Sequence, residues 1–501
     1  MKQNKIVVSI TLLLASLLTP MFFSCDPDVI DRKQVKHDSL MAVYKHVNKW
    51  ILENMDTYYY WDHKLPKNTI DTLSPDAFFE SLLYKYNVST APDGDRFSWI
   101  QDNYKELQDM LSGVTSNEIG FDFKLYKMSS TSDDVLGQIT YTKRGTFAEQ
   151  IGIKRGMWFD RINGSKMTIS NYSDLLTFSS STVKIGFKQE TYTAEGVFIS
   201  LVDGGEATIQ TSSNYSENPV YLDSIYNIGQ SKIGYLVYNF FSPDNGNGDL
   251  AYDKKLNNVF GKFKSAGITE LVVDFRYNSG GYSSSSRHLA SMMVPNLNKN
   301  NVFTYYRYNT EVQGYYVEQY GMEYLNNYFT EKLIDDGVET DIINNAGAKL
   351  NKIYILTGKY TASASETIIN GLKPYVRIVI VGDVTLGKNV SSITIFEPND
   401  PLNKWGMQPI IGKVFNSLGE SDYTAGFVPD FKVYDTGEYG IKQLGDIQEN
   451  LLNKALVDAT GLTSIRSGVN KSVKVVSESK ELVNPLQIQR GYIIDNKSLF
   501  K

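Results

Sequence analysis

The chain has 501 residues, more than one hydrophobic core can use at about 100 to 200 residues per domain, so two to four domains are expected. Its composition is 42% hydrophobic, 13% aromatic and 21% charged, which excludes a disordered, collagen-like or coiled-coil chain. A net charge of −6 argues against a general nucleic-acid binder, which would be basic.

Lys2 and Lys5 precede an uncharged apolar run, Ile6 to Phe23, that ends at Ser24-Cys25. A positive start, a short apolar stretch and a small-residue junction are the parts of an export signal, so residues 1–24 read as a signal peptide. Cys25 is the single cysteine, which excludes an internal disulfide or a cysteine-based zinc site. Phe22-Phe23-Ser24-Cys25 resembles a bacterial lipobox, which would make Cys25 the lipidated first residue of the mature chain. The protein would then sit on a membrane through a lipid anchor, since no later run reaches the ~18 apolar residues of a transmembrane helix. Asp26 and Asp28 resemble the acidic surface-export signals of some Bacteroidetes lipoproteins. The implied location is the cell envelope, at the outer membrane, on its periplasmic or outer face.

Leu40, Val43, Tyr44, Val47, Trp50, Ile51 and Met55 recur at helical spacing, Ser74-Pro75 opens a second helix, and Tyr104 to Leu111 forms a third, so residues 25–112 read as a helical domain. Residues 113–205 read as a compact, mostly β domain, with strands at Ile119 to Tyr126, Leu136 to Tyr141 and Thr182 to Lys188 and a hairpin turn at Asn163-Gly164. From residue 206 to 462 strands and helices alternate. Ile233 to Asn239 is a strand, Leu256, Val259, Phe260 and Phe263 line one face of a helix that Gly267 stops, and Leu271 to Phe275 is a buried strand. Ile353 to Thr357, Ser365 to Leu372 and Arg377 to Gly382 make a βαβ unit, which requires a parallel sheet. Tyr305 to Asn345, rich in Tyr and Asn, reads as an insertion. A last helix, Ile447 to Ala459, ends at Gly461, and residues 463–501 form a polar tail.

Two stretches carry chemistry. In Thr361-Ala-Ser-Ala-Ser-Glu366 a strand meets a helix, which sets Ser363 at a helix start where the next amide, that of Ala364, is available to an oxyanion. Ser363 and Glu366 equally fit a Ser-x-x-Glu capping box, so they could serve only to begin the helix. A serine nucleophile needs a base. His37, His46, His63 and His288 are the only histidines, and of these His288 alone lies outside the N-terminal part. Lys388 is the alternative, if burial keeps its amine neutral; otherwise it is an ordinary turn lysine. Gly382-Asp-Val-Thr-Leu-Gly-Lys388 departs from a P-loop in having Asn389 where a Ser or Thr should hold magnesium, and in leading to a strand-like stretch. The second stretch, Asp274-Phe-Arg-Tyr-Asn-Ser-Gly-Gly281, follows a buried strand, where α/β sheets put ligand sites.

That second stretch resembles the Asp-Leu-Arg-x-Asn-x-Gly-Gly motif of the S41 peptidases, the C-terminal (tail-specific) processing proteases. Thr361 to Glu366 resembles their nucleophile motif, and Thr385-Leu-Gly-Lys388 their lysine motif. The resemblance implies a serine peptidase with Ser363 as nucleophile, Lys388 as base, and an oxyanion site at Ala364 with Gly280 or Gly281. Ser392 stands where many members carry a glutamine that orients the lysine. Ser-Asn-Glu-Ile-Gly-Phe121 and Ala148 to Asn163 resemble PDZ stretches, so Ile119, Gly120 and Phe121 would bind substrate by strand addition. Asp95 to Trp99, Thr424 to Asp430 and Leu444 to Asp446 are also family-like. The implied architecture is multidomain α+β: a helical domain, a PDZ-like β domain and a crotonase/ClpP-like α/β catalytic domain. Its partners would be protein or peptide substrates, with no metal or organic cofactor; the oligomeric state is not specified. Two other readings stay open: a non-catalytic peptide- or glycan-binding envelope lipoprotein on the same scaffold, and a hydrolase based on His288.

Overall fold

A computed structural model describes residues 27–465 apart from 116, 130 and 336, together with 481–482, 484 and 493–494. The signal segment and Cys25 lie outside the described residues, as does most of the tail.

The N-terminal part is built on one long helix, Pro27–Tyr58, on which Val47, Trp50, Ile51 and Met55 bury against Phe78, Phe79 and Leu82 of helix Pro75–Leu82. Helix Tyr104–Leu111 follows, its first amides accepted by the Asn103 side chain. This part does not close on itself. Val390, Met407 and Ile410 complete its core, and strand Trp99–Gln101 pairs antiparallel with Gly406–Gln408.

The β-rich part is an antiparallel sheet of Phe121–Lys127, Val135–Thr142, Trp158–Ile162, Thr182–Tyr192 and Phe198–Gln210, neighbours in chain order. Asn163 and Gly164 both take positive φ, 51° and 82°, as the turn of a two-residue hairpin requires. Phe121, Phe123, Leu125, Ile139, Phe159, Ile185 and Ile209 fill its core. The sheet runs on to Gln210, past residue 205, because its last strand is largely exposed and polar and gives little hydrophobic alternation to read.

The third part holds a six-stranded sheet in the order Val220–Ile228, Ser231–Tyr238, Glu270–Asp274, Lys352–Thr357, Arg377–Gly382, Phe431–Lys432, parallel throughout except for the first pair. Helices cover both faces, as a parallel sheet demands. Helix Ala251–Ala266 buries Leu256, Val259, Phe260 and Phe263 on one side with Ile368, Ile369 and Leu372 of helix Ala364–Leu372. Helix Asn450–Thr460 packs Leu451, Leu452, Ala455 and Leu456 on the other, against Tyr235, Val272, Tyr354 and Val379. A second sheet runs Gly281–Tyr282, Ile493–Ile494, Val390–Ser392, Ile410–Asn416, Val302–Tyr308, Asn326–Tyr328. The expected insertion at Tyr305 to Asn345 is therefore corrected in its first residues. Val302–Tyr308 is an internal strand of this sheet, with Phe303, Tyr306 and Tyr308 buried in the core and Tyr305 half-buried.

Candidate active site

Three segments converge at the carboxyl ends of the parallel strands. Asn278 joins the first two: its carbonyl accepts from Ala362 N–H (3.3 Å) and from Ser365 Oγ (3.1 Å). Thr361 Oγ1 donates to the Phe275 carbonyl at 2.7 Å. The stretch 274–281 thus lies directly against the stretch 361–366.

Ser363 heads helix Ala364–Leu372 with φ 61° and ψ −117°. A non-glycine residue there costs about 1–3 kcal/mol, and such strain persists only where surrounding contacts hold it. With Glu366 it has the outline of a capping box, of which the carboxylate half is made and the hydroxyl half falls short of a hydrogen bond. Ser363 N–H donates to Glu366 Oε2 at 2.9 Å, yet Ser363 Oγ, fully buried, completes no hydrogen bond of its own. Capping therefore does not consume the hydroxyl. Ala364, the first helical residue, is also buried, at a position whose amide has no intrahelical acceptor.

Glu366 ties the serine to the lysine. Its Oε2 also accepts Lys388 N–H (2.8 Å), while Oε1 accepts Gly387 N–H (2.7 Å) and Thr385 Oγ1 (2.5 Å). One buried carboxylate so fixes the main chains of Ser363 and Lys388 side by side. Burial raises the Glu366 carboxyl above its usual range, and these four hydrogen bonds oppose the rise. A Cβ on Gly387, at φ +89°, would stand 2.3 Å from the Thr424 carbonyl, so the loop beside Lys388 admits only glycine. Phe427 N–H closes the same loop on Thr385 Oγ1 at 2.7 Å.

Lys388 is fully buried, and its Nζ lies 5.3 Å from the Phe97 ring centroid. Burial pulls its pKa from 10.5 down to about 7, against the pull of Asp95 and then Glu366 in the other direction. Asp95 is held by Tyr59 Oη (2.9 Å) and by the amides of Phe97 (2.8 Å) and Ser98 (2.9 Å). Arg96 Nη2 donates to the carbonyls of Gly387 (2.7 Å) and Thr424 (2.9 Å). The N-terminal part therefore supplies one wall of the lysine pocket. Sequence reasoning noted Asp95 to Trp99 as a motif without giving it this role. Ser392, four residues beyond Lys388, is fully buried on strand Val390–Ser392 opposite Ile410.

Gly280 and Gly281 adopt φ 114° and 136°, and a Cβ on Gly281 would stand 2.0 Å from the Phe241 carbonyl. Gly280 N–H already donates to Asn278 Oδ1 at 2.9 Å, so in this state it is used within its own loop. The Asp274–Arg276 pair does not face the serine. Arg276 Nη1 and Nη2 reach Asp435 Oδ1 (2.7 Å), Glu449 Oε1 (2.7 Å) and Asp274 Oδ2 (2.7 Å). Arg155 of the β-rich part joins at Asp435 Oδ1 (2.8 Å), and Tyr277 Oη donates to Asp435 Oδ2 (2.8 Å). Burial would raise the Asp435 carboxyl, but Arg155, Arg276 and Lys124 hold it well below the usual range. This network couples two domains beneath the glycine loop.

His288 is engaged elsewhere. Its Nδ1 lies 2.6 Å from Asp253 Oδ2, and its Nε2 accepts Ile334 N–H at 2.9 Å, so neither ring nitrogen serves Ser363. In the β-rich part Ile119 and Phe121 turn into the core, leaving only their backbone to a ligand. Gly120 N–H donates to Glu118 Oε1 at 2.8 Å, and Glu118 Oε2 meets Lys143 Nζ at 2.5 Å. The Gly120 amide is thus taken up by a carboxylate of its own loop. Among the described residues no cluster of His, Cys, Asp or Glu is arranged to hold a metal ion, and no helix is long and apolar enough to cross a membrane.

The model of peptidase family S41 matches residues 232–433, and that of the peptidase S41 N-terminal domain matches residues 46–99. A crystal structure of a Bacteroides fragilis NCTC 9343 protein assigned to the S41 proteases aligns at 27% identity and a TM-score of 0.67, over 83% of this chain and 98% of that one. The photosystem II D1 C-terminal processing protease aligns at 17% identity and a TM-score of 0.41, over 78% and 93%. Mature CPAF complexed with lactacystin aligns at 13% identity and a TM-score of 0.37, over 78% and 94%. No curated protein matches the sequence. The two matched segments span both the Asp95 wall and the Ser363 and Lys388 motifs, and the chain is a homologue of the S41 peptidases with a mixed α/β, multidomain, serine-peptidase-like architecture.

Proposed function

We propose that this protein is a serine endopeptidase of the cell envelope that uses Ser363 as nucleophile and Lys388 as base. The observation that carries the reading is a strained, buried serine whose hydroxyl completes no hydrogen bond, clamped through Glu366 to a buried lysine held near pKa 7. Neutral Lys388 takes the Ser363 proton as Oγ bonds to the scissile carbonyl carbon. The oxyanion is stabilised by Ala364 N–H and an amide of the Gly280-Gly281 loop; Gly281 is the better candidate, because Gly280 N–H serves Asn278. Protonated Lys388 then gives the proton to the departing amine as the C–N bond breaks. Water cleaves the acyl-enzyme, with Lys388 accepting its proton and returning one to Ser363 Oγ. Ser392 would orient the lysine. The β-rich part acts as a PDZ-like domain that takes an extended segment along strand Phe121–Lys127, with Ile119, Gly120 and Phe121 contributing backbone. Cys25 carries the lipid anchor.

A serine-directed fluorophosphonate should add one adduct to the wild type and none to Ser363→Ala or Lys388→Ala. A folded wild type that never reacts, or a Ser363→Ala variant that still reacts at one site, would sink the assignment. Cys25→Ser should move the protein from the membrane fraction to the soluble one.

A further inference from the structure

One short strand of the C-terminal tail lies on the edge that the proposed function assigns to substrate, and a second lies between the glycine loop and the strand that follows Lys388. Glu481–Leu482 pairs antiparallel with strand Phe121–Lys127, Glu481 opposite Tyr126 and Leu482 opposite Leu125, on the edge away from Val135–Thr142. Leu482 packs on the core of the β-rich part, Asn484 Nδ2 donates to the Phe123 carbonyl at 3.0 Å, and Glu481 lies 3.7 Å from Lys359 Nζ. Further along the chain, Ile493–Ile494 runs parallel to Gly281–Tyr282 on one side and to Ser392 on the other. A gap one strand wide separates the glycine loop from the strand that follows Lys388, and the tail fills it.

From these pairings we infer that the tail strands Glu481–Leu482 and Ile493–Ile494 act as an internal peptide ligand, holding both the peptide-binding edge and the gap beside the glycine loop until an external strand displaces them. The inference rests on the peptidase reading only for its effect on catalysis; the occupancy stands on the pairing alone. Backbone pairing satisfies the edge groups of whichever chain lies there, so both sites accept any extended, unfolded segment and cannot hold two at once. Leu482 and Ile493 are eleven positions apart in the chain, so one tail serves both sites. A substrate that displaces both strands must likewise reach both sites with one unfolded stretch, not a short loop. Tethering also sets a threshold: a tail in the same chain competes at an effective concentration of order millimolar.

The test compares the full chain with a full-length variant carrying Glu481→Pro, Leu482→Pro, Ile493→Pro and Ile494→Pro, since proline removes the ladder N–H. A fluorescein-labelled peptide of residues 478–496 is titrated into each, and fluorophosphonate labelling of Ser363 is timed. The variant should bind the peptide at roughly tenfold lower concentration or less, and should label about tenfold faster. Equal peptide binding by the two proteins would overturn the inference. Tighter binding by the variant without labelling of either protein would uphold it while sinking the peptidase reading. Hydrogen exchange on the unmodified chain needs no variant to fold: amides at 481–482 and 493–494 should be protected and should lose protection when excess peptide is added. Free exchange there from the start would also overturn the inference.

Discussion

If Lys388 is the base, the pH dependence of Ser363 acylation should report its burial. At a pKa of about 7 roughly half the lysine is neutral at pH 7, whereas at 10.5 only about one part in 3,000 would be. The displacement corresponds to about 5 kcal/mol against charging the amine. The fluorophosphonate labelling rate should thus rise about tenfold between pH 6 and pH 8 and then level off. Asp95 supplies the sign test. Its charge opposes the lowering, so Asp95→Asn should move the inflection below that of the wild type, and labelling at pH 6 should rise relative to that variant's own plateau. Asparagine can keep the turn, because one oxygen still accepts the Phe97 and Ser98 amides. Normalising each protein to its plateau cancels any difference in how far the tail occupies the gap. A rate still climbing tenfold per unit at pH 10, or an Asp95→Asn inflection above the wild type's, would refute the assignment of Lys388 as a desolvated base.

Glu366→Gln should abolish labelling and cost about 2 to 5 kcal/mol in chemical denaturation, because one carboxamide orientation or the other sets an NH2 against backbone amides that need an acceptor. Asp435→Asn should destabilise by about 3–5 kcal/mol, since it leaves Arg155 and Arg276 short of charge in a buried network. Asp435 and Glu449 are both held below their usual pKa values, so the stability they contribute is present above about pH 4 and lost as pH falls below it. Thermal unfolding from pH 7 to pH 3 should show that acid limb, shallower in Asp435→Asn.

Much of the fold was legible because helices and strands announce themselves locally. Leu256, Val259, Phe260 and Phe263 and the stop at Gly267 read directly from spacing, and the βαβ unit around Ser363 required a parallel sheet. What escaped was set by partners distant in sequence. Tyr305 to Asn345 read as an insertion because buried tyrosines look polar, and only pairing of Val302–Tyr308 with Ile410–Asn416 reveals a core strand. Strands of two residues, such as Glu481–Leu482, carry no periodicity at all. At the site, the residues alone offered Ser363 and left its base open between Lys388 and His288; the S41 resemblance implied the pair, but neither could distinguish a cap from a nucleophile. What bears on that choice is a backbone at φ 61° and a hydroxyl that completes no bond, which no pattern of letters encodes. Nor could sequence show that the Asp274–Arg276 pair faces Asp435 and Glu449, because the four residues meet only in three dimensions.

The lysine pocket has a consequence for the N-terminal part that differs from ordinary packing. Arg96 pins its loop by two hydrogen bonds to the carbonyls of Gly387 and Thr424, and the same loop carries the Phe97 ring over Lys388 and the Asp95 charge beside it. Arg96→Ala removes the pin without touching serine, lysine or Glu366. If the loop lifts, water reaches Nζ, the desolvation that dominates its pKa weakens, and the value climbs back toward 10.5. Labelling at pH 7 should then fall by tenfold or more, since each unit of pKa removes about nine-tenths of the neutral base. The loss should be recovered at pH 10, where even an ordinary lysine is partly neutral. A loss that persists at pH 10 would mean that the loop supports the fold and does not tune the base. Recovery would make docking of the N-terminal loop, some three hundred residues before Lys388 in the chain, a condition for having a base at neutral pH.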